Sequence, residues 1–394
     1  MQEDAPLPKF NPLPETSGVD LLIIAGEHSG DEHAAALLRK LRKLDPDIKV
    51  AALGGHNLEA AGAHILYNPL ESAIVGLVEV LKHLDYLKAL FNETLDWIDQ
   101  HRPRAVCFVD YPGFNLRIAK QLFKRKISTK GGGNVRLIYY ISPQIWAWKA
   151  KRRFQMAKHL DALGVIFPFE VDCYEDTDLP VEFIGHPFTD PEYQLPVSHN
   201  PGGPLLILPG SRSGPIQRIF PIQVETFNRL KADHPDLKAK VMYPTEKIRQ
   251  QLERIIAEHG DLADFGLAPN HEYFSARAVL MSSGTISLVC ALAGIPGVIV
   301  YKTNPVTYLM AKVLVKLRII GIANIILGKF IYPEFLQSQM TPEILHRELE
   351  RQLGNPEVIQ STRKLSQELR ERLASDDPLR AAKWLQEQLK TNLR

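Results

Sequence analysis

Leu205-Leu-Ile-Leu-Pro-Gly-Ser-Arg212 is the stretch that decides the fold. Four apolar residues in a row suit a strand buried on both faces. The next four make a small-residue loop ending on a guanidinium. Roughly seventy residues on, Ala278-Val-Leu-Met281 runs into Ser282-Ser-Gly-Thr285 and repeats the pattern. Such loops bring backbone N–H groups close to a phosphate, and a following helix adds the positive end of its dipole. Arg212 can add a charge-assisted fork on a phosphate oxygen. Gly and Ser are also ordinary turn residues, and either loop alone reads as a turn. Two loops, each after an apolar strand, favour a nucleotide diphosphate held by this half of the chain.

The same alternation extends in both directions. Upstream, strands are expected at 19–25, 48–53, 104–109, 135–141 and 162–167, with a helix over 31–44. The pattern pauses at Pro187 to Pro204, which holds five prolines with Gly202 and Gly203. A polar, turn-rich stretch of this kind suits a domain linker. Beyond it come a strand at 205–208, helix at 216–233, strand at 238–243 and helix at 246–258. A strand at 278–281, a helix at 285–293 and a strand at 297–300 follow, then closing helices from about 342 to 393. Near-continuous apolar strands separated by helices indicate parallel sheets covered on both faces. The fold class is therefore α/β, with two doubly wound Rossmann-like domains facing across a cleft. The expected divisions are a flexible tail at 1–18, an N-terminal domain at 19–195, a C-terminal domain at 196–365, and final helices at 366–394 that pack back on the first domain.

Composition narrows the class. The 394 residues are 45% hydrophobic and 23% charged, as in ordinary globular proteins. A net charge of +2 does not suggest a nucleic-acid binder. Cys107, Cys173 and Cys290 are scattered without CxxC spacing, so neither a disulfide framework nor a zinc site is indicated. A cytoplasmic setting fits. The first 17 residues lack the apolar core of a signal peptide, and no run is long enough to cross a membrane.

Several constellations carry chemistry, each beside a plainer reading. Ala25-Gly-Glu-His-Ser-Gly-Asp31 follows the first strand. Ser29 or Asp31 can cap the next helix, which leaves Glu27 and His28 unexplained. Asp110 ends the strand 106–110, where cleft chemistry occurs, yet it also suits a turn before Pro112. Tyr139 to Trp148 holds Ser142, Trp146 and Trp148, with Lys149, Lys151, Arg152 and Arg153 after it. Indole faces can line a sugar or acyl pocket; aromatic core with a solvated basic end is the alternative. His186, in Ile184-Gly-His-Pro187, is an acid or donor in the cleft, or a hydrogen-bonded hinge residue. The run from Ile74 to Trp97 is greasy nearly all round at its start, through Ile74, Val75, Leu77, Val78, Leu81 and Leu84. With the apolar, basic-edged run Val306 to Ile320, and the basic surface of Arg117, Lys120, Lys124, Arg125 and Lys126, it suits contact with acyl chains on anionic lipid. A core-facing helix with solvated lysines is the plainer account.

In this order the pieces resemble the lipid-A-disaccharide synthase family of inverting GT-B glycosyltransferases. The stretches that carry the resemblance are AGEHSGD (25–31), VGLVEVL (75–81), FVDYPGFN (108–115), YYISPQIWAWKAKR (139–152), FIGHP (183–187), LPGSR (208–212), SSGTISL (282–288) and NIILGKFIYPEFLQ (324–337). The resemblance implies UDP-2,3-diacylglucosamine as donor and 2,3-diacylglucosamine 1-phosphate as acceptor. The implied products are the β-1,6-linked disaccharide 1-phosphate and UDP, with no metal and no cofactor. It implies Asp110 as general base or orienter of the acceptor 6-hydroxyl, and Arg212 as the cation on the departing diphosphate. Gly210, Ser211, Ser283, Gly284 and Thr285 would supply phosphate donors. Asn324, Glu334 and Gln337 would face the donor sugar. Glu27, Ser29, Asp31, Ser142, Trp146, Trp148 and His186 would line the acceptor side. The chain would work in the cytoplasm, peripherally on the inner membrane of a Gram-negative bacterium, and the resemblance admits a homodimer.

The sequence departs from the family pattern at four positions. Pro215 and Val289 stand where a Glu is usual, Gly113 where an acid is expected, and Ala34 where a Gly is. Loss of the ribose-binding acid at 289 would weaken UDP by about 1–3 kcal/mol unless a neighbour substitutes. Two other readings therefore stand. One is another GT-B enzyme such as a UDP-N-acetylglucosamine 2-epimerase. The other is an inactive paralogue that binds lipid or a partner.

Overall fold

The computed structural model describes residues 8–14, 18–72, 80–304 and 319–390. It divides into two compact units, Met1–Asp190 with Ser375–Arg394, and Pro191–Ala374.

The first unit is built on a seven-stranded sheet of β1 (Leu21–Ala25), β2 (Val50–Leu53), β3 (His64–Tyr67), β4 (Ala105–Val109), β5 (Arg136–Tyr140), β6 (Ala162–Val165) and β7 (Val181–Phe183). The order is β3-β2-β1-β4-β5-β6-β7, parallel throughout. The helices are α1 (His28–Leu44), α2 (His56–Ala60), α3 (Pro69–Ser72), α4 (Val80–His101), α5 (Pro112–Lys124) and α6 (Arg152–His159). Every residue of β1 and β4 is buried, as a strand with helices on both faces requires. Leu22, Val106 and Phe108 are wholly excluded from water, each contributing about 1.5–3 kcal/mol of hydrophobic stabilisation. The chain's last helix, Arg380–Lys390, returns to this unit. Its Trp384 ring occupies space that a β-carbon on Gly164 would invade.

The second unit holds β8 (Val197–His199), β9 (Leu205–Leu208), β10 (Ala239–Tyr243), β11 (Phe265–Pro269), β12 (Phe274–Ala276), β13 (Ala278–Ser282), β14 (Gly297–Tyr301) and β15 (Glu334–Leu336). Six form a parallel sheet in the order β11-β10-β9-β13-β14-β15, and β12 pairs with β8. Its helices are α7 (Ser213–Asp233), α8 (Glu246–His259), α9 (Thr285–Leu292), α10 (Ile322–Leu327), α11 (Pro342–Gln352) and α12 (Pro356–Leu373).

Each sheet reverses its winding once. In the first the reversal lies between β1 and β4, where Ala25 pairs with Val109. In the second it lies between β9 and β13, where Leu208 pairs with Met281. Loops leaving the two strands at such a point diverge, and the crevice between them is the usual ligand site of a doubly wound sheet.

The structure corrects several expectations. Part of the expected loose tail is anchored: Phe10 is buried and stacks on Tyr67, and the Asn11 backbone and side chain bond Leu66 and Ile65 carbonyls. Helix α1 begins at His28, so Ser29 and Asp31 lie inside its first turn and cap nothing there. Helix α7 begins at Ser213 instead of 216. The units divide at Asp190 and Ser375 where 195 and 365 were expected, because α12 runs unbroken to Leu373. Among the described residues no helix is long and apolar enough to cross a membrane. Ile74, Val75, Leu77 and Val78 lie outside the described residues, as does most of the run from Val306 to Ile320; of Leu81 and Leu84 only the backbone, on α4, is described.

Candidate active site

The loop 209–212 leaves β9 beside the loop 283–284 leaving β13. Gly210 sits at φ +108°, a conformation that favours glycine, and a β-carbon there would come within 3.1 Å of Ser282 Oγ. The two loops therefore pack against each other before feeding two helices. Neither α7 nor α9 has a side-chain cap at its N-terminus. Their first-turn N–H groups are left for water or an anion. Ser211, Arg212, Gly284 and Thr285 are exposed there. Ser283 is half-buried, and its hydroxyl donates to the Ile320 carbonyl at 3.0 Å. Pro215 occupies the third position of α7, where its missing N–H costs the helix nothing but removes one possible phosphate donor. Val289 is buried in α9 and offers no polar contact.

A second cation stands at this end of α7. The Arg218 guanidinium folds back over the first turn, with Nη2 3.5 Å from where a β-carbon on Gly214 would lie. Among the described residues neither the Arg212 nor the Arg218 guanidinium has a hydrogen-bonding or ion-pair partner. Sequence reasoning missed Arg218. Its signal is the i to i+4 spacing from Gly214, visible only if the helix is started at 213.

Asn324 and Glu334 brace the edge of the same sheet. Asn324 is fully buried: its Nδ2 donates to Glu334 at 2.7 Å and to the Tyr332 carbonyl at 2.8 Å, and its Oδ1 accepts from Ile331 and Tyr332. Glu334 also accepts the Ile320 and Gly321 N–H groups, each at 2.8 Å. Since Ser283 binds the Ile320 carbonyl, this network reaches the second loop. Gln337, at φ +52°, differs. Its Oε1 accepts from Thr303 N–H, while its buried Nε2 has no partner among the described residues.

In the first unit Asp110 follows the last residue of β4. Asp110 and Tyr111 both adopt left-handed backbone, φ +46° and +48°. Two consecutive non-glycine residues there are strained unless the surroundings hold them. Those surroundings are explicit. The Asp110 carbonyl accepts Tyr139 Oη at 2.6 Å and Asn115 Nδ2 at 2.8 Å, and its N–H reaches the Tyr140 carbonyl at 3.3 Å. Gly26 leaves room for the Tyr111 ring, which a β-carbon would strike at 2.3 Å. Burial, and then the negative charge of Glu27, push the Asp110 carboxyl up to about 6, partly opposed by a hydrogen bond from Tyr111 N–H. The group is a carboxylate at neutral pH but more basic than an ordinary aspartate, which suits it to accept a proton.

The other expected acceptor residues separate into two kinds. Glu27, Ser29 and Trp148 are exposed. The Trp148 face carries Lys149 at 4.2 Å and Arg152 at 5.7 Å. The remainder are structural. Asp31 is buried and caps α2, accepting from Gly55, Asn57 and Leu58 N–H at 2.7, 3.1 and 3.4 Å. Ser142 bonds Tyr174 Oη at 2.8 Å. Trp146 stacks edge-on to Phe169. His186 accepts Phe188 N–H on Nδ1, and burial with the neighbouring His33 lowers its pKa to about 3. That imidazole stays neutral and does not serve as an acid. Unforeseen beneath the tryptophan segment is Glu170, which burial pushes up to about 8.

The chain matches known proteins over most of its length. Residues 21–388 match the family described as lipid-A-disaccharide synthetase. The lipid-A-disaccharide synthase 1 of Legionella pneumophila (strain Lens) is 35% identical over 373 residues, covering 92% of this chain and 95% of that protein. Among solved structures, a UDP-N-acetylglucosamine 2-epimerase of Listeria monocytogenes, described as unproven in that role, superposes with a TM-score of 0.61 at 12% identity, over 96% of this chain and 97% of that one. The calicheamicin glycosyltransferase CalG4 superposes with a TM-score of 0.54 at 14% identity, over 94% of this chain and 98% of that one. At such identities the likeness is one of fold, the GT-B arrangement of two Rossmann-like sheets.

Proposed function

The chain belongs to the lipid-A-disaccharide synthetase family, and from that premise we propose that it joins UDP-2,3-diacylglucosamine to 2,3-diacylglucosamine 1-phosphate, releasing UDP. The observation that carries the reading is the pair of sheet reversals: one presents a raised-pKa carboxylate, the other an anion cradle with two guanidiniums unpaired among the described residues. Asp110 accepts the proton of the acceptor 6-hydroxyl as its oxygen attacks the anomeric carbon. The bond from that carbon to the diphosphate breaks, and configuration inverts. Arg212, Arg218 and the first-turn N–H groups of α7 and α9 stabilise the charge that appears on UDP. Gln337 Nε2 is the free donor for a donor-sugar hydroxyl, while Asn324 and Glu334 hold its surroundings. Identity to the family argues against the epimerase reading, and retention of Asp110 and Arg212 argues against the inactive one.

Diacylated substrates place the reaction at a lipid surface, here the cytoplasmic face of the inner membrane. Trp148 and Phe154, 51% and 46% exposed beside Lys149, Lys151, Arg152 and Arg153, support contact with anionic headgroups by the first unit. The test is UDP release with both diacylated substrates, run beside Asp110→Asn. Release by the wild type and its loss in the variant are expected. No release where a relative turns over, or an unimpaired variant, would overturn the assignment.

A further inference from the structure

The far end of α7 carries a second cluster that the glycosyl transfer does not use. Asp233 is the last residue of α7, and His234 caps it, its N–H bonded to the Leu230 carbonyl. Facing them on α11 are His346 and Glu350, four apart and so on one side of that helix. His346 Nε2 lies 2.7 Å from Asp233 Oδ2 and 4.0 Å from Glu350 Oε1. His234 Nε2 lies 2.9 Å from the same Glu350 oxygen. The ligand atoms of Asp233, His346 and Glu350 all fall within 4.8 Å of one another.

Three features make this more than a surface ion pair. One turn earlier the same helices are joined by Arg229 and Glu343, a pair that supplies its own cation. At the helix end, no Lys or Arg pairs with Asp233 or Glu350 among the described residues. The cluster therefore brings two carboxylates and no permanently positive side chain. It also sits at the C-terminus of a 21-residue helix, where the dipole favours a cation. Lastly, the mutually close donors are one imidazole Nε2 and two carboxylates, and the His234 ring supports one of those carboxylates from outside the group. Tetrahedral zinc, with bonds of about 2.0–2.1 Å, holds its ligands roughly 3.3 Å apart. The 2.7 and 4.0 Å from His346 Nε2 to the Asp233 and Glu350 oxygens bracket that spacing.

We propose that Asp233, His346 and Glu350 form a zinc site that staples α7 to α11 in the second unit, with His234 holding Glu350 in place and water as the fourth ligand. Two carboxylates balance the charge of Zn²⁺, and an imidazole donor favours zinc over magnesium. Twenty-one residues at 1.5 Å each put the site about 30 Å along α7 from its anion-binding end. The metal's role at this distance is structural.

The full-length chain, stripped with EDTA, is titrated with ZnCl₂ by calorimetry at pH 7.5. One zinc per chain and a rise in Tm with zinc but not with MgCl₂ are expected. Asp233→Asn with Glu350→Gln keeps the shapes and removes the charges; it should weaken zinc about tenfold or more. His234→Ala with His346→Ala should abolish the same binding event. Co²⁺ added to the wild type should give the visible absorption of a tetrahedral nitrogen and oxygen site, a readout that needs no variant to fold. Zinc bound equally by wild type and both double variants, or no zinc bound at all, overturns the site. UDP release is unaffected by either outcome.

Discussion

Gly26 makes room for the Tyr111 ring where the first sheet reverses, and Gly210 makes room for Ser282 where the second does. In both, a glycine on one loop lets the loop of the neighbouring strand press in. What the packed loops then present is opposite. The first holds an acid on a strained backbone, partly withdrawn from water and pushed toward neutrality by a second acid. The second presents uncapped helix ends and two guanidiniums, all open to solvent. A base needs its affinity for a proton raised, and partial burial does that. A leaving-group site needs donors that stay charged and free until the diphosphate arrives. One topological device serves both because it supplies only a crevice; the chemistry comes from the next few residues.

The sharpest test of that contrast is Asp110→Asn. Turnover should fall about 10²- to 10⁴-fold. Stability should move the other way. The folded-state pKa of Asp110 lies above its ordinary value, so ionisation opposes folding: the penalty is absent below pH 4 and complete above about 6. Asn removes the charge and tolerates left-handed backbone. At pH 8 the variant should be more stable by roughly 1–3 kcal/mol, and near pH 4 the two should converge, as measured by denaturant unfolding. A variant destabilised at pH 8 would mean that the strained turn depends on the carboxylate.

At the other reversal the effects should appear in ligand affinity and not in stability. Arg212→Ala should lower kcat/KM about 10²- to 10³-fold with Tm unchanged. Arg212→Lys should recover only part, since an ammonium cannot fork two oxygens. Arg218→Ala should weaken UDP about tenfold by calorimetry, most clearly at low salt. An unchanged affinity would remove Arg218 from the cradle and leave Arg212 as its one cation among the described residues.

The sequence made the interior of both sheets readable and left their margins dark. β1, β4, β9 and β13 are continuous apolar runs because both faces are covered. β3, β7, β11 and β15, which were not foreseen, are the four sheet edges; their burial is partial and their patterns are weak. The site residues divide similarly. Asp110 and the Gly210 and Gly284 loops were legible because they follow strong strands. Asp31 and His186 were assigned to the acceptor side, yet their partners are backbone N–H groups, in one case 24 residues away, that no local pattern reveals. Arg218 was hidden by a helix start placed three residues late. In each case the missing information was a tertiary or capping contact, which residue type and spacing do not encode.

Glu27 offers the finest probe of how the first reversal tunes its acid. It is exposed and is the second cause, after burial, of the raised Asp110 pKa. A wild-type pH profile of kcat/KM should rise through about 6 as Asp110 ionises and stay level above it. Glu27→Gln removes the repulsion and leaves the burial, so the rising limb should move to lower pH by less than about one unit. Activity near pH 5.5 should then gain a few-fold while that at pH 8 is unchanged. Added salt should shrink the difference between the two enzymes, because an exposed charge is screened and a buried one is not. A limb that stays in place would leave desolvation as the whole cause. A limb that rises in pH would mean that Glu27 holds a cation there, and that the first reversal, like the second, is balanced by positive charge.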